Sequence, residues 1–136
     1  MQDRPGATEL LEAVRAFLEE EVVPALDGPR QFHARVAANV LAIVGRELAG
    51  EEASLLAEWR RLAGLLGRAS EPLPRLEALR AAVRDGTAAL AERIRRGDAD
   101  AGPFRHALRA HVRATVEDKL RVANPRLLES AGGTTR

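Results

Sequence analysis

The sequence predicts an all-α protein, a single-domain up-and-down bundle of about five helices. Three observations predict it. Apolar residues recur at three- and four-residue intervals along most of the chain, and no run alternates with the period of two that a strand requires. Alanine supplies 26 of 136 residues, while there are only three Phe, one Trp and no Tyr, so Leu, Val and Ala must fill the core. The breaks between the periodic segments are short and carry Gly and Pro, which places successive helices antiparallel to their neighbours. A chain of this length holds one domain with a real core. The domain is expected over residues 8–125, between a flexible arm (1–7) and a flexible tail (126–136).

The first helix is expected to start at Thr8, whose hydroxyl suits an N-cap. Leu10, Leu11, Val14, Phe17, Leu18 and Val22 then share one face, and Pro24 kinks or ends the helix. Glu19, Glu20 and Glu21 sit near that end, where the helix dipole disfavours negative charge, so either the helix continues or these acids have cationic partners. After the turn "LDGPRQ", the second helix covers residues 31 to 49, with Gly50 expected as its C-cap. A third, over about 52–67, should bury Leu55, Leu56, Trp59, Leu62, Leu65 and Leu66. "GRASEPLP", residues 67–74, is a linker.

Leu76, Leu79, Val83, Thr87, Leu90 and Ile94 keep one face in register through Gly86, which predicts one continuous helix over 75–96. "GDADAGP" is a turn that ends with Pro103 in the first turn of the last helix. That helix stops near Val122, because Asn124 precedes a proline and is pushed out of helical geometry.

The second helix is the unusual one. Projected at 100° per residue, Phe32, Val36, Val40, Leu41, Ile43, Val44 and Leu48 cover half its circumference, with His33 in the middle of that arc. Ala34, Ala38, Ala42, Gly45 and Ala49 form a strip of small residues, and Arg35, Asn39 and Arg46 a narrow polar strip. A helix with so little solvated face belongs at the centre of a bundle or assembly. The small-residue strip admits close approach of another helix, from this chain or from a second subunit in a homo-oligomer. Arg35, Asn39 and Arg46 either lock the bundle's register or bind an anion or an acidic partner segment. Glu21, at the preceding helix end, is expected to pair with His33 or Arg35, since a buried charge must be paired. In the last helix His111 and Thr115 lie one turn apart on the core seam, where a mutual hydrogen bond would satisfy both. His106 projects to solvent.

Charge is unevenly distributed. Residues 1–59 carry 5 Arg against 11 acids (−6), and residues 60–126 carry 15 Arg plus Lys against 8 acids (+7). Either the acidic and basic helices face each other, or the second half is an anion-binding surface. The Arg-rich stretches lack interleaved aromatics, so nucleic acid is not expected as a partner. The absence of Cys excludes disulfides, thiolate nucleophiles and thiolate metal sites. "MQDRPGATELLEAV" lacks the basic start and apolar run of a signal peptide, and no segment is apolar enough to span a bilayer, so a cytoplasmic protein without a membrane partner is expected. No phosphate loop, nucleophile elbow, dinucleotide fingerprint or metal-ligand spacing is present, so no cofactor, metal or catalytic residue is assigned. An enzyme built on His33 or His111 is the weakest functional reading.

"RPGATELLEAVRAFLEEEVVPAL", "FHARVAANVLAIVGREL", "RIRRGD" and "LRVANPRLL" together resemble small bacterial proteins of unknown function. These are typically encoded beside an aminoglycoside-phosphotransferase-like kinase and an acyl-CoA-dehydrogenase-like protein. The resemblance implies a noncatalytic accessory subunit of that kinase, in a pathway that phosphorylates hydroxyacyl-CoA compounds and then removes the hydroxyl. It transfers no catalytic residue. Relatives often carry an aromatic after Asn-Pro-Arg, where this chain has Leu127. The alternative reading is a stand-alone ligand-binding module in which Arg side chains hold a CoA-type or other anionic ligand.

Overall fold

The computed structural model describes residues 4–70 and 75–132, with side chains to Ser130, and every regular element among them is helical. Helix α1 spans Ala7–Phe17, passes through a π-helical segment, Leu18–Val22, and ends in a last α-turn, Val23–Ala25. Helix α2 spans Gly28–Leu66, α3 Leu76–Arg95, α4 Gly102–Ala123 and α5 Arg126–Gly132.

The start of α1 is set by Gly6, whose N–H donates to the Glu9 carboxylate at 2.7 Å, so Thr8 lies inside the helix and is not its cap. Widening to π geometry lets the chain pass Pro24, which lacks an N–H and whose ring would collide with the carbonyl four residues back. Gln31 then ties the two helices together, donating to the carbonyls of Val23 at 3.1 Å and Leu26 at 2.8 Å.

The expected second and third helices are one helix of 39 residues. Gly50 is interior to it, and the cap is Gly67. With φ of +66°, Gly67 closes a paired motif in which Arg68 N–H bonds to Ala63 O at 2.9 Å and Gly67 N–H to Gly64 O at 3.3 Å. The linker therefore begins where expected, though residues 71–74 lie outside the described residues. Helix α3 is continuous through Gly86. Its last turn, the Gly97 turn and the start of α4 meet at Arg93, which donates to Leu65 O at 2.7 Å and to Asp98 at 2.8 Å and lies 4.0 Å over the Phe104 ring.

Helix α2 is the spine. Helix α1 lies antiparallel along its first half, with Thr8 near Ala49 and Glu19 near Asn39. Helices α3 and α4 pack on its second half. Arg80 reaches Glu51 through two bonds of 2.6 and 2.7 Å while Arg93 reaches Leu65, so α3 runs in the same sense as α2, a departure from strict antiparallel order. Helix α4 returns antiparallel, with Ala107 near Leu65 and Val122 near Arg46.

The core is small and lies at this second end. Leu62 is 0 % exposed and clusters with Val83, Leu90 and Leu108, against which Leu55, Trp59, Leu65, Leu66 and Phe104 pack. Gly86 is buried there, and a Cβ at that position would stand 3.3 Å from Leu62 Cδ1. The tail expected to be flexible from residue 126 begins with α5, whereas residues 1–3 of the arm and 133–136 of the tail lie outside the described residues.

Candidate functional site

The second predicted helix, now the first half of α2, is not the bundle's centre. Ala38, 2 % exposed, is its buried residue, and the small-residue strip faces α1: Ala42, Gly45 and Ala49 line a crevice with Thr8, Leu11 and Arg15. The close approach that the strip permits is thus used within the chain, and the strip is not available to a second subunit. Of its large apolar residues Leu41 and Ile43 are half-buried and the others are left outside. Phe32 is 63 % exposed, Leu48 52 %, and Val36, Val40 and Val44 are also exposed.

Helix α1 repeats the pattern. Leu11, Leu18 and Val22 turn toward α2, whereas Leu10, Val14 and Phe17, the last 58 % exposed, do not. Residues 10, 14 and 17 fall on one stripe of a helix, and 40, 44 and 48 on another. The opposite flank of the hairpin is polar: Glu12, Arg15 and Glu19 of α1 lie on the side of Asn39 and Arg46 of α2. In an antiparallel pair the other flanks then coincide, so Leu10, Val14, Phe17, Val40, Val44 and Leu48 form one apolar face. Together they leave large apolar side chains in contact with water on one side of the hairpin.

The polar strip is divided among roles. Arg46 donates from Nε to Val122 O at 2.7 Å, stitching the end of α4 to the middle of α2. Asn39 and Arg46 line a crevice of about 360 Å³ with Arg15, Glu19, Asn124 and Arg126. Arg35 points elsewhere and is exposed, and no ion pair to it occurs among the described residues. Arg15 bridges Glu12 and Glu19, so one of the three acids at the end of α1 has its cationic partner. Glu21 and His33 do not pair. Both are exposed, and the His33 ring lies against Phe32 with centroids 5.8 Å apart. The expected pair fails because the apolar arc that was to bury His33 faces outward.

His111 is buried as the seam predicts, but the hydrogen bond to Thr115 is absent: His111 Nδ1 and Thr115 Oγ1 are both buried without a partner. Burial, then the positive charge of Arg61, holds the imidazole below its ordinary value against the opposing pull of Glu58, so it is neutral near pH 7. Arg61 pairs with Asp118 at 2.8 Å. His111 and Thr115 line a groove of about 560 Å³ between α3 and α4, with Val83, Leu90, Ile94, Val112, Val116 and Lys119. The exposure of Ile94, Val112 and Val116 was not legible in the sequence, since their spacing matches that of core residues. His106 is exposed, as expected. Among the described residues no cluster of His, Asp and Glu is arranged to hold a metal ion, and no helix is long and apolar enough to cross a membrane.

Comparison with curated proteins and with solved structures finds no match. Residues 24–127 match the family described as Domain of unknown function (DUF6285), and the chain belongs to that family.

Proposed function

We propose that this chain is a noncatalytic interaction subunit that docks on its partner through the apolar face of the α1–α2 hairpin. The observation that carries the reading is that face itself: Leu10, Val14, Phe17, Val40, Val44 and Leu48 stand exposed on a rigid helical pair. Leaving such side chains in water forgoes about 25 cal/mol for each Å² a partner would cover. Following the resemblance of its sequence, the partner is an aminoglycoside-phosphotransferase-like kinase acting on hydroxyacyl-CoA compounds, and the bond-making chemistry belongs to that kinase. Co-expression with an aminoglycoside-phosphotransferase-like kinase of the kind the resemblance implies, size-exclusion chromatography and a kinase assay with and without this subunit test the reading. Co-elution that is lost in Val14→Asp and Val44→Asp, with both variants retaining the helical circular dichroism of the parent, is expected. A kinase that is stable, fully active and unassociated in the presence of this chain would refute it.

A second reading has its own observation. Arg15, Arg46 and Arg126 surround the crevice that also holds Asn39 and Asn124, a donor set suited to phosphate oxygens. Two of these guanidiniums are already engaged, Arg15 by Glu12 and Glu19 and Arg46 by Val122 O. A CoA-type ligand held there at a hundred times its Kd would stabilise the chain by about 2.7 kcal/mol. A thermal melt with CoA esters decides between the two: no shift removes this second reading.

A further inference from the structure

We infer that the isolated chain forms a two-fold dimer in which the acidic, apolar hairpin of each copy covers the basic-rimmed groove between α3 and α4 of the other. This rests on the hairpin face invoked above but not on the identity of the kinase-like partner.

The charge distribution carries the choice of occupant. The hairpin, residues 4–50, holds 7 acids against 5 Arg (−2), and residues 75–123, α3 and α4 with the turn between them, hold 11 Arg plus Lys against 7 acids (+4). Among the described residues no ion pair joins the two, and Glu51–Arg80, just beyond the hairpin, is the one pair between an acid of residues 1–59 and a base of residues 60–126. The remaining pairs are local to one half, such as Arg15 with Glu12 and Glu19, or Arg61 with Asp118. Hairpin on hairpin would set two negative surfaces together, and groove on groove two positive ones. Hairpin on groove sets opposite signs together, which fixes register and partner choice. Lys119 lines the groove, and helix phase puts Arg84 and Arg109 at its edges, with Glu58 as the acid on its floor.

The apolar surfaces are also complementary in kind and sufficient in extent. The groove exists because α3 and α4 both pack on α2 without closing on each other, which leaves Ile94, Val112 and Val116 exposed along it. A helix laid between them would complete a four-helix arrangement, and α1 presents Leu10, Val14 and Phe17 at the spacing such a groove reads. With Val40, Val44 and Leu48, these nine side chains expose roughly 700 Å² per copy, close to the about 800 Å² per partner of a standard stable interface. Two-fold symmetry uses both surfaces of both copies and closes the assembly.

Sedimentation equilibrium on the full chain tests this. The expected species is twice 14.7 kDa, with a dissociation constant that rises several-fold between 50 and 500 mM NaCl. Phe17→Lys on the hairpin and Val116→Glu in the groove, both at exposed positions and checked for retained helicity, are each expected to weaken dimerisation at least tenfold. An equimolar mixture of the two variants is expected to form a heterodimer. In it one hairpin–groove contact is wild-type and the other sets the new Lys beside the new Glu. A chain that stays monomeric at millimolar concentration would overturn the inference. So would a Val116→Glu variant that dimerises like the parent, a mixture that stays monomeric, or a dimer that tightens as salt rises, since like-charged faces would behave in that last way. Kinase co-elution by a chain shown to be monomeric would sink the dimer and leave the proposed function standing. A dimer that ignores the kinase would do the reverse.

Discussion

Gly50 and Gly86 both sit inside helices, and replacing each by Ala should have opposite consequences. Within a helix, Ala is favoured over Gly by about 0.8–1 kcal/mol, because Gly loses more backbone freedom on folding. At Gly50 nothing lies within 4 Å of the position a Cβ would take, so Gly50→Ala should realise that whole gain. For a chain of this size the gain corresponds to a rise in Tm of about 3–5 °C. At Gly86 the same backbone gain is set against Leu62 Cδ1 at 3.3 Å, Leu62 Cβ at 3.6 Å and Leu66 Cδ1 at 3.8 Å. Leu62 is wholly buried and cannot retreat into solvent, and forcing one methyl into a packed core costs about 1–3 kcal/mol. The net for Gly86→Ala is therefore between zero and about 2 kcal/mol of destabilisation. Urea unfolding followed by circular dichroism at 222 nm reads both. If Gly50→Ala destabilises, Gly50 is a left-handed cap and the 39-residue helix is wrong. If Gly86→Ala gains as much as Gly50→Ala, α3 does not approach α2 at Leu62.

Three further outcomes follow from the same contacts. Leu62→Ala should cost about 2–5 kcal/mol in the same assay, since it empties the one fully buried large side chain among the described residues, and a loss under 1 kcal/mol would place the core elsewhere. His111 is held neutral in the folded chain, so between the folded value and the ordinary value of 6.5 the unfolded chain binds the extra proton. Stability should therefore fall as pH drops below about 6.5, and His111→Gln should flatten the difference between unfolding curves at pH 7.5 and pH 5.5; equal slopes for both proteins would show the imidazole is not desolvated. Arg46→Ala removes a charge-assisted bond to Val122 O of about 1.5–3 kcal/mol, and amide exchange at the end of α4 should speed accordingly while amides around Leu62 keep their protection.

Much of the fold was legible because helix periodicity and punctuation are local. The continuity of α3 through Gly86 followed from Leu79, Val83 and Leu90 staying on one stripe, and the stop at Asn124 followed from the proline after it. The splitting of α2 at Gly50 failed for a physical reason: a glycine cap and a helical glycine share the same letter, and only the Schellman bonds at Gly67 distinguish them. The site was less legible still. Phe32, Val36 and Leu48 have the spacing of core residues whether or not anything covers them, and His111 and Thr115 have the spacing of a hydrogen-bonded pair although the bond is absent.

What the sequence determined alone was helicity, the breaks at Gly and Pro, the small-residue strip of α2 and the opposition of charge between the two halves. Each depends on neighbours within a turn or on simple counts. Which flank of α2 meets α1, the parallel sense of α3, the open groove beside α4 and the outward face of the hairpin were decided only by tertiary packing. An amphipathic stripe specifies that apolar surface is present but not which surface of the chain, or of another molecule, takes it out of water.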